Sequence, residues 1–367
     1  MIVLSSVVEA IEPIDAEWMA KAESYMNSLA MPPGALGQVQ SSAIKLATIQ
    51  KTLKPQIKRK FLVMSCADHG IVEEGVSAYP QITDAIVKTA LAGGAAINAF
   101  CRQSNTGLLI IDVGVKGLCQ TGNNSVPKKE VLSQINKSLY SEDQVGVQFI
   151  QQSIAAGTAN MLHEAAMSTT HCEEALQIGI ELALDLDVDI IALGEMGIGN
   201  TTSASCLLAK LVNLKAEQVT GPGTGVFGDA LKHKTKIIEQ VLEKWKEVQD
   251  PFEVLRCMGG LEIALMCGLI LGAASRGKAI MLDGFISGAA ALVAVKLAPQ
   301  CKGYLFAGHV SAEPAHQIIL DQLGLKPLLQ LDLRLGEGTG AALALNVLEA
   351  SCESVDSMMT LDEALKL

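Results

Sequence analysis

The sequence predicts an α/β protein built on a largely parallel sheet. Three observations carry this reading. Five short, almost wholly apolar runs recur along the 367 residues. Stretches long enough for crossover helices separate them, and four of the five runs carry an acid at or near the end. A continuous apolar run fits a strand covered on both faces, and a crossover helix lets the next strand lie parallel to it.

The elements follow in chain order. Residues 1–60 have a mostly helical pattern. Positions 11–28 mix apolar and charged residues at helical spacing, MPPGALG (31–37) interrupts with two prolines and two glycines, and 38–52 resumes. The strand candidates are FLVMSCAD (61–68), LLIIDVG (108–114), VDIIALGEMG (188–197), AIMLDG (279–284) and YLFAGH (304–309). Asp68, Asp112, Glu195 and Asp283 stand at or near the ends of the first four, and His309 closes the fifth. Ligands of open parallel sheets gather at the carboxyl ends of strands. One acid there is as readily a helix cap as a functional group. Five polar tips along one edge indicate a site.

Gly197, Gly199, Asn200, Thr201 and Thr202 follow Glu195 and lead into a helical run, 204–211. Such a turn either caps the helix or aims free N–H groups at an anion. TGPGTGVFGDA (220–230) comes next, followed by Lys232, His233 and Lys234. It lacks GxxxxGK[ST], which excludes the ATP-type loop, and it is no GxGxxG turn after a strand. It reads either as a backbone cradle for an oxygen-rich group or as a plain long turn. MGGLEIA (258–264) opens a helix with Glu262 in its first turn, where an acid favours the helix dipole. AGHVSAEPAH (307–316) gathers Ser311, Glu313 and two histidines around one proline. LGEGTGAA (335–342) sets Glu337 between two glycines ahead of a final helix, 341–350. No low-complexity segment or linker divides the chain.

Composition excludes several classes. With 28 basic and 39 acidic side chains, the formal charge is −11. That disfavours nonspecific nucleic-acid binding and attraction to anionic membranes, while leaving room for one local positive pocket. The nine cysteines are scattered without a CxxC pair, and the six histidines form no HExxH. Reduced thiols in a cytoplasmic protein are expected, and no zinc site. The apolar start lacks the basic residues of a secretory signal. The longest apolar stretches, 263–274 and 286–295, fall short of the roughly 18 to 20 residues of a membrane span.

DHGIVEEGVSAYPQ, LGEMGIGNTT, TGPGTG, AGHVSAEPAH and LGEGTGAA occur in this order. Together they resemble the nicotinate-nucleotide:dimethylbenzimidazole phosphoribosyltransferase family over about residues 31–350. The resemblance implies a Rossmann-like three-layer domain with a small helical domain formed from both chain ends. It divides the chain into N-terminal helices (1–60), a large nucleotide- and base-binding domain (61–330), and a catalytic loop with the C-terminal helix (331–367). It also implies a homodimer. The reaction it implies moves ribose 5-phosphate from nicotinate mononucleotide to 5,6-dimethylbenzimidazole. The products are α-ribazole 5′-phosphate and nicotinate, used in assembling the nucleotide loop of cobalamin, with no cofactor and no metal.

The resemblance assigns Glu337 as general base and Glu195 near the ribose and the base. Gly197 and Ile198 fall in the nucleotide part. Gly221, Gly223, Thr224, Gly225, Ser311 and a basic residue fall around the phosphate and ribose. Lys234 is the choice for that base, with Lys232 and His233 as neighbours that could replace it. Ser77, Tyr79 and Gln81 fall in the base pocket. Ala35 stands where the family's proline–glycine turn has a serine.

The chemistry suits these assignments. Attack by one ring nitrogen of the acceptor leaves a cation unless the other nitrogen loses its proton, and one carboxylate within hydrogen-bond reach can take it. Arg334, three residues before Glu337, is expected to face elsewhere. His309 and His316 are expected to be satisfied loop histidines, and Asp68 and His69 to orient a loop. A dinucleotide or P-loop enzyme would need motifs the sequence lacks. A non-catalytic nucleotide binder would not need Glu337 and Glu195. The choice among benzimidazole, purine and phenolic acceptors is left open, since one methyl contact is worth only about 1 to 3 kcal/mol.

Overall fold

The computed structural model describes residues 4–119, 128–138, 146–223 and 225–367. Seven strands form one sheet in the order β3-β2-β1-β4-β5-β6-β7. They are β1 Lys60–Ala67, β2 Gly107–Gly114, β3 Gln148–Gln151, β4 Ile190–Met196, β5 Ala279–Leu282, β6 Leu305–Val310 and β7 Pro327–Gln330. Every pairing is parallel. The chain builds outward from β1 to β3, returns, and builds the other way from β4 to β7, which is the Rossmann order.

The apolar runs explain the central strands. All residues of β1, β2, β4 and β5 are buried. The two edge strands went unpredicted because each has only four residues and they lie mostly half-exposed, so neither shows a continuous apolar run. Pro327 opens β7, and an edge strand tolerates the missing N–H.

Helices cover both faces. Leu261–Ala274 is buried along its whole length and packs on β1, β2, β4 and β5. Thr169–Asp185 packs against it so closely that the backbones touch. A Cβ added at Gly268 would stand 2.1 Å from Leu176 O, and one at Gly179 would stand 2.1 Å from Leu265 O. The helix Thr339–Ser357 lies along β4 to β7 and meets Gly37–Gln50 and Ala96–Gln103. It extends well past the predicted 341–350.

The chain ends meet. Met26, Leu29, Ala43 and Val355 form a small core of their own, and Leu29 bridges Thr360. Ala16–Ser28 begins later than the predicted start at 11, because Asp15 caps it by accepting the N–H groups of Glu17 and Trp18. All nine cysteines are free, and eight are buried. Among the described residues, no helix is long and apolar enough to cross a membrane.

Candidate active site

A cavity of about 560 Å³ opens over the carboxyl ends of β4, β5 and β6. Its polar wall includes Glu195, Asn200, Thr201, Asp283, His309, Ser311, Glu313, Arg334 and Glu337. Tyr79, Ile82, Ile86, Phe285, Ile286 and Leu335 supply apolar surface. Of the five polar strand tips, three reach this cavity. Asp68 and Asp112 do not: Asp68 accepts Lys116 N–H at 2.8 Å, while Asp112 accepts Val115 N–H at 2.8 Å and Ser153 Oγ–H at 2.6 Å. They shape the loops over β1 and β2.

Glu337 is buried on a turn with left-handed backbone at Gly336 (φ 84°), at Glu337 itself (φ 62°) and at Gly338 (φ 96°). The flanking glycines also permit close approach. A Cβ at Gly336 would stand 2.4 Å from Glu195 Oε1, and one at Gly338 would stand 2.8 Å from Leu62 Cδ1. The turn is tied to β4 by Glu337 N–H donating to Glu195 O at 3.2 Å. Glu337 Oε2 accepts Ile97 N–H at 3.2 Å, at the start of the helix Ala96–Gln103. Burial raises the Glu337 pKa above the ordinary carboxylate value, the Ile97 N–H opposes that rise, and the charge of Asp283 adds to it.

Glu195 accepts from Asn200 Nδ2. Burial first, then the nearby Asp283 and Glu262, push its pKa up to about 8. Asp283 accepts three backbone N–H groups, from Gly338 (3.1 Å), Gly340 (2.8 Å) and Ala341 (3.0 Å). It therefore caps the helix Thr339–Ser357 and fixes the turn before it, which carries Glu337. Burial raises the Asp283 pKa, opposed by His309 and by these N–H groups. His309 Nδ1 lies 3.6 Å from Asp283 Oδ1. The sequence marked Asp283 only as a strand tip. Its three backbone contacts depend on two distant segments meeting, which no local pattern reveals.

The glycine-rich loop lies along another wall. Gly223 lines the cavity, and its N–H donates to Glu313 Oε1 at 2.8 Å. Gly221 packs against Glu313 Oε2, Gly225 faces open space, and Thr224 lies outside the described residues. Lys234 is wholly buried beneath the loop, its Nζ donating to Thr201 Oγ1 at 2.9 Å and Gly221 O at 3.1 Å. It does not line the cavity itself. Burial lowers its pKa to about 8, against the attraction of Glu313. Lys232 pairs with Asp229 at 2.8 Å, and His233 Nε2 lies 2.6 Å from Glu74 O, so only Lys234 of the three reaches under the loop.

Ser311 lines the cavity and accepts Glu313 N–H at 3.2 Å. Its own N–H donates to His316 Nδ1 at 2.8 Å. Burial holds the His316 pKa down at about 3, so the ring is neutral. Gly197 and Ile198 line the cavity beside Glu195. Beneath them, His69 sits fully buried between Ser203 Oγ (3.0 Å) and Glu262 Oε1 (2.6 Å).

Tyr79 reaches the cavity with half its surface exposed, whereas Ser77 and Gln81 do not line it. Ser77 Oγ accepts Tyr79 N–H at 3.2 Å and so shapes the segment instead. Arg334 departs from expectation: it lines the same cavity, where its charge acts on Glu313. Glu313, Asn200 and Thr201 all lay in quoted motifs without an assigned role. No spacing within those motifs distinguishes them from loop residues.

The fold and this edge define an α/β enzyme of Rossmann-like order, with its reactive groups over β4 to β6. The comparisons narrow the class. A phosphoribosyltransferase family profile matches residues 11–365. The chain is 39% identical to the nicotinate-nucleotide–dimethylbenzimidazole phosphoribosyltransferase of Desulforamulus reducens, with 99% of each covered. It is 40% identical to the enzyme of that name from Syntrophotalea carbinolica, over 99% of this chain and 98% of that one. The crystal structure of CobT from Thermus thermophilus is similar with a TM-score of 0.84 and 39% identity, covering 95% of this chain and 98% of that chain. The chain belongs to the nicotinate-nucleotide–dimethylbenzimidazole phosphoribosyltransferase family.

Proposed function

We propose that this chain carries out the family reaction, transferring the 5-phosphoribosyl group of nicotinate mononucleotide to 5,6-dimethylbenzimidazole, with Glu337 as the base. The observation that carries this reading is the position of Glu337. One carboxylate oxygen is held by Ile97 N–H, and the residue lines a cavity with an apolar wall wide enough for a flat ring. The acceptor ring lies against Tyr79, Ile82 and Ile86 and presents its N–H to Glu337. The other ring nitrogen attacks the anomeric carbon from the face opposite nicotinate, so the configuration inverts from β to α. Nicotinate leaves with the bonding electron pair, which neutralises its ring nitrogen, and Glu337 accepts the acceptor's proton.

Glu195, with a pKa of about 8 in the ligand-free cavity, is mostly protonated near neutral pH. A bound pyridinium cation favours its ionised form, because an opposite charge offsets desolvation. Ionised Glu195 then stabilises the positive charge that grows on the ribose. The loop residues Gly221, Gly223 and Gly225, with Ser311, border the 5′-phosphate, and Lys234 supports the loop from beneath. Gly197 and Ile198 adjoin the nucleotide, and Ser77 and Gln81 support the base segment around Tyr79.

The terminal helices, 1–60 and 331–367, act as the small domain beside the large one, 61–330, and the enzyme works as a cytoplasmic homodimer. Mixing the purified protein with nicotinate mononucleotide and dimethylbenzimidazole should release nicotinate. Binding of the nucleotide without nicotinate release would favour a non-catalytic binder.

A further inference from the structure

Glu313 occupies the place where an anion is expected. It is buried, and Oε1 accepts the N–H of Gly223, a loop residue on the cavity wall, at 2.8 Å. Its other oxygen packs against Gly221. Two cations, Lys234 and Arg334, act on it, one from beneath the loop and one from the cavity wall. A glycine N–H with cations around it is the environment a phosphate would seek. Here a carboxylate of the same chain holds that environment. A dianion and an ionised carboxylate cannot share it without strong repulsion.

We propose that Glu313 is a specificity-determining residue of the phosphate subsite, standing in for the phosphate in the ligand-free cradle and taking a proton from solvent when a 5′-phosphate binds. The proposal rests on the reading that the 221–225 loop borders the phosphate. Once protonated, Glu313 turns from a competing acceptor into a donor and gives its O–H to a phosphate oxygen. The Gly223 N–H is then free to do the same. Burial raises the Glu313 pKa, against Lys234, the Gly223 N–H and Arg334, which is the direction that favours this uptake. Only the phosphate meets this group, so Glu313 sets how strongly the site prefers a phosphorylated nucleotide over its nucleoside.

Calorimetry on the intact enzyme tests this, using nicotinate mononucleotide and its dephosphorylated riboside in two buffers of different ionisation enthalpy. Above pH 7, where the phosphate itself is a dianion, wild-type protein should take up more protons, net, with the mononucleotide than with the riboside, because both carry the pyridinium that ionises Glu195 and only one carries the phosphate. Glu313→Gln imitates the protonated acid. It should abolish that difference, tighten the mononucleotide roughly tenfold by removing a like charge, and leave the riboside unchanged. Equal net proton exchange for the two ligands in wild type overturns the proposal, and that arm needs no variant to fold. Equal weakening of both ligands in Glu313→Gln also overturns it and makes Glu313 a ribose ligand. If wild type binds both ligands equally, the phosphate-loop reading fails and takes this proposal with it. If wild type prefers the mononucleotide and Glu313→Gln leaves that preference unchanged, only the role of Glu313 fails.

Discussion

Gly336, Glu337 and Gly338 hold φ values of 84°, 62° and 96°, so the acid stands on three consecutive left-handed residues. An L-residue pays about 1 to 2 kcal/mol for that conformation, and such strain concentrates at functional sites. The glycines answer why an acid should be flanked this way: they let the turn fold tightly against Glu195. Gly336→Ala should place a Cβ 2.4 Å from Glu195 Oε1 and lower turnover far more than it lowers folding stability. Turnover and urea midpoint, measured together, check this. Asp283→Asn would set an amide N–H against the Gly338 N–H and loosen the turn. The loss of that buried contact costs about 1 to 3 kcal/mol. It also removes a charge that raises the pKa of Glu337 and Glu195, so the acidic limb of the rate profile should move to lower pH. A purely structural role would lower stability and leave the limb in place. Glu195 makes a further prediction. Its folded pKa is raised, so its contribution to stability is full below the unfolded carboxylate value near 4.5 and is lost as pH rises through about 8. Thermal melts from pH 5 to 8 should therefore show wild type losing stability relative to Glu195→Gln. Glu337 and Glu195 were singled out because the resemblance assigns roles to the acids of their motifs, and both line the cavity. Asp283 and Glu313 were not, since their partners lie 55 to 58 and 90 residues away in the chain.

Among the elements, the contact between Thr169–Asp185 and Leu261–Ala274 sets the position of the site most directly. The second helix carries Glu262, whose carboxylate holds His69 beneath Gly197. Backbone contact at Gly179 and Gly268 leaves no room for a side chain. Gly268→Val should force the pair apart and destabilise the protein by roughly 1 to 3 kcal/mol or more, the usual effect of overpacking. Urea denaturation measures this. The central strands were readable from their apolar runs, because burial on both faces leaves a continuous signal. The edge strands β3 and β7 were not, because half-exposure dilutes that signal over four residues. The helix start at Asp15 was also missed, since the apolar pattern begins before the cap. A cap is defined by which N–H groups its side chain meets.

At the scale of the molecule, the Rossmann order gathers segments from residues 79 to 337 around one cavity. The sequence showed the alternation that gives a parallel sheet, but strand order depends on which strands pair across the chain. The meeting of the two ends, through Met26, Leu29, Ala43 and Val355, was implied only by family resemblance. Sedimentation should find a homodimer at micromolar concentration, and a monomer there would contradict the proposed assembly. The central claim is that one buried carboxylate on a strained turn removes the acceptor's proton. The direct measurement is a pH–rate profile of wild type and Glu337→Gln with both substrates saturating. Wild type should lose rate as pH falls and Glu337 is protonated, at a pH above the ordinary carboxylate range because burial raises its pKa. The variant should turn over roughly 10²- to 10⁴-fold more slowly, with that limb absent. Near-full turnover in Glu337→Gln with the same acidic limb would contradict the account.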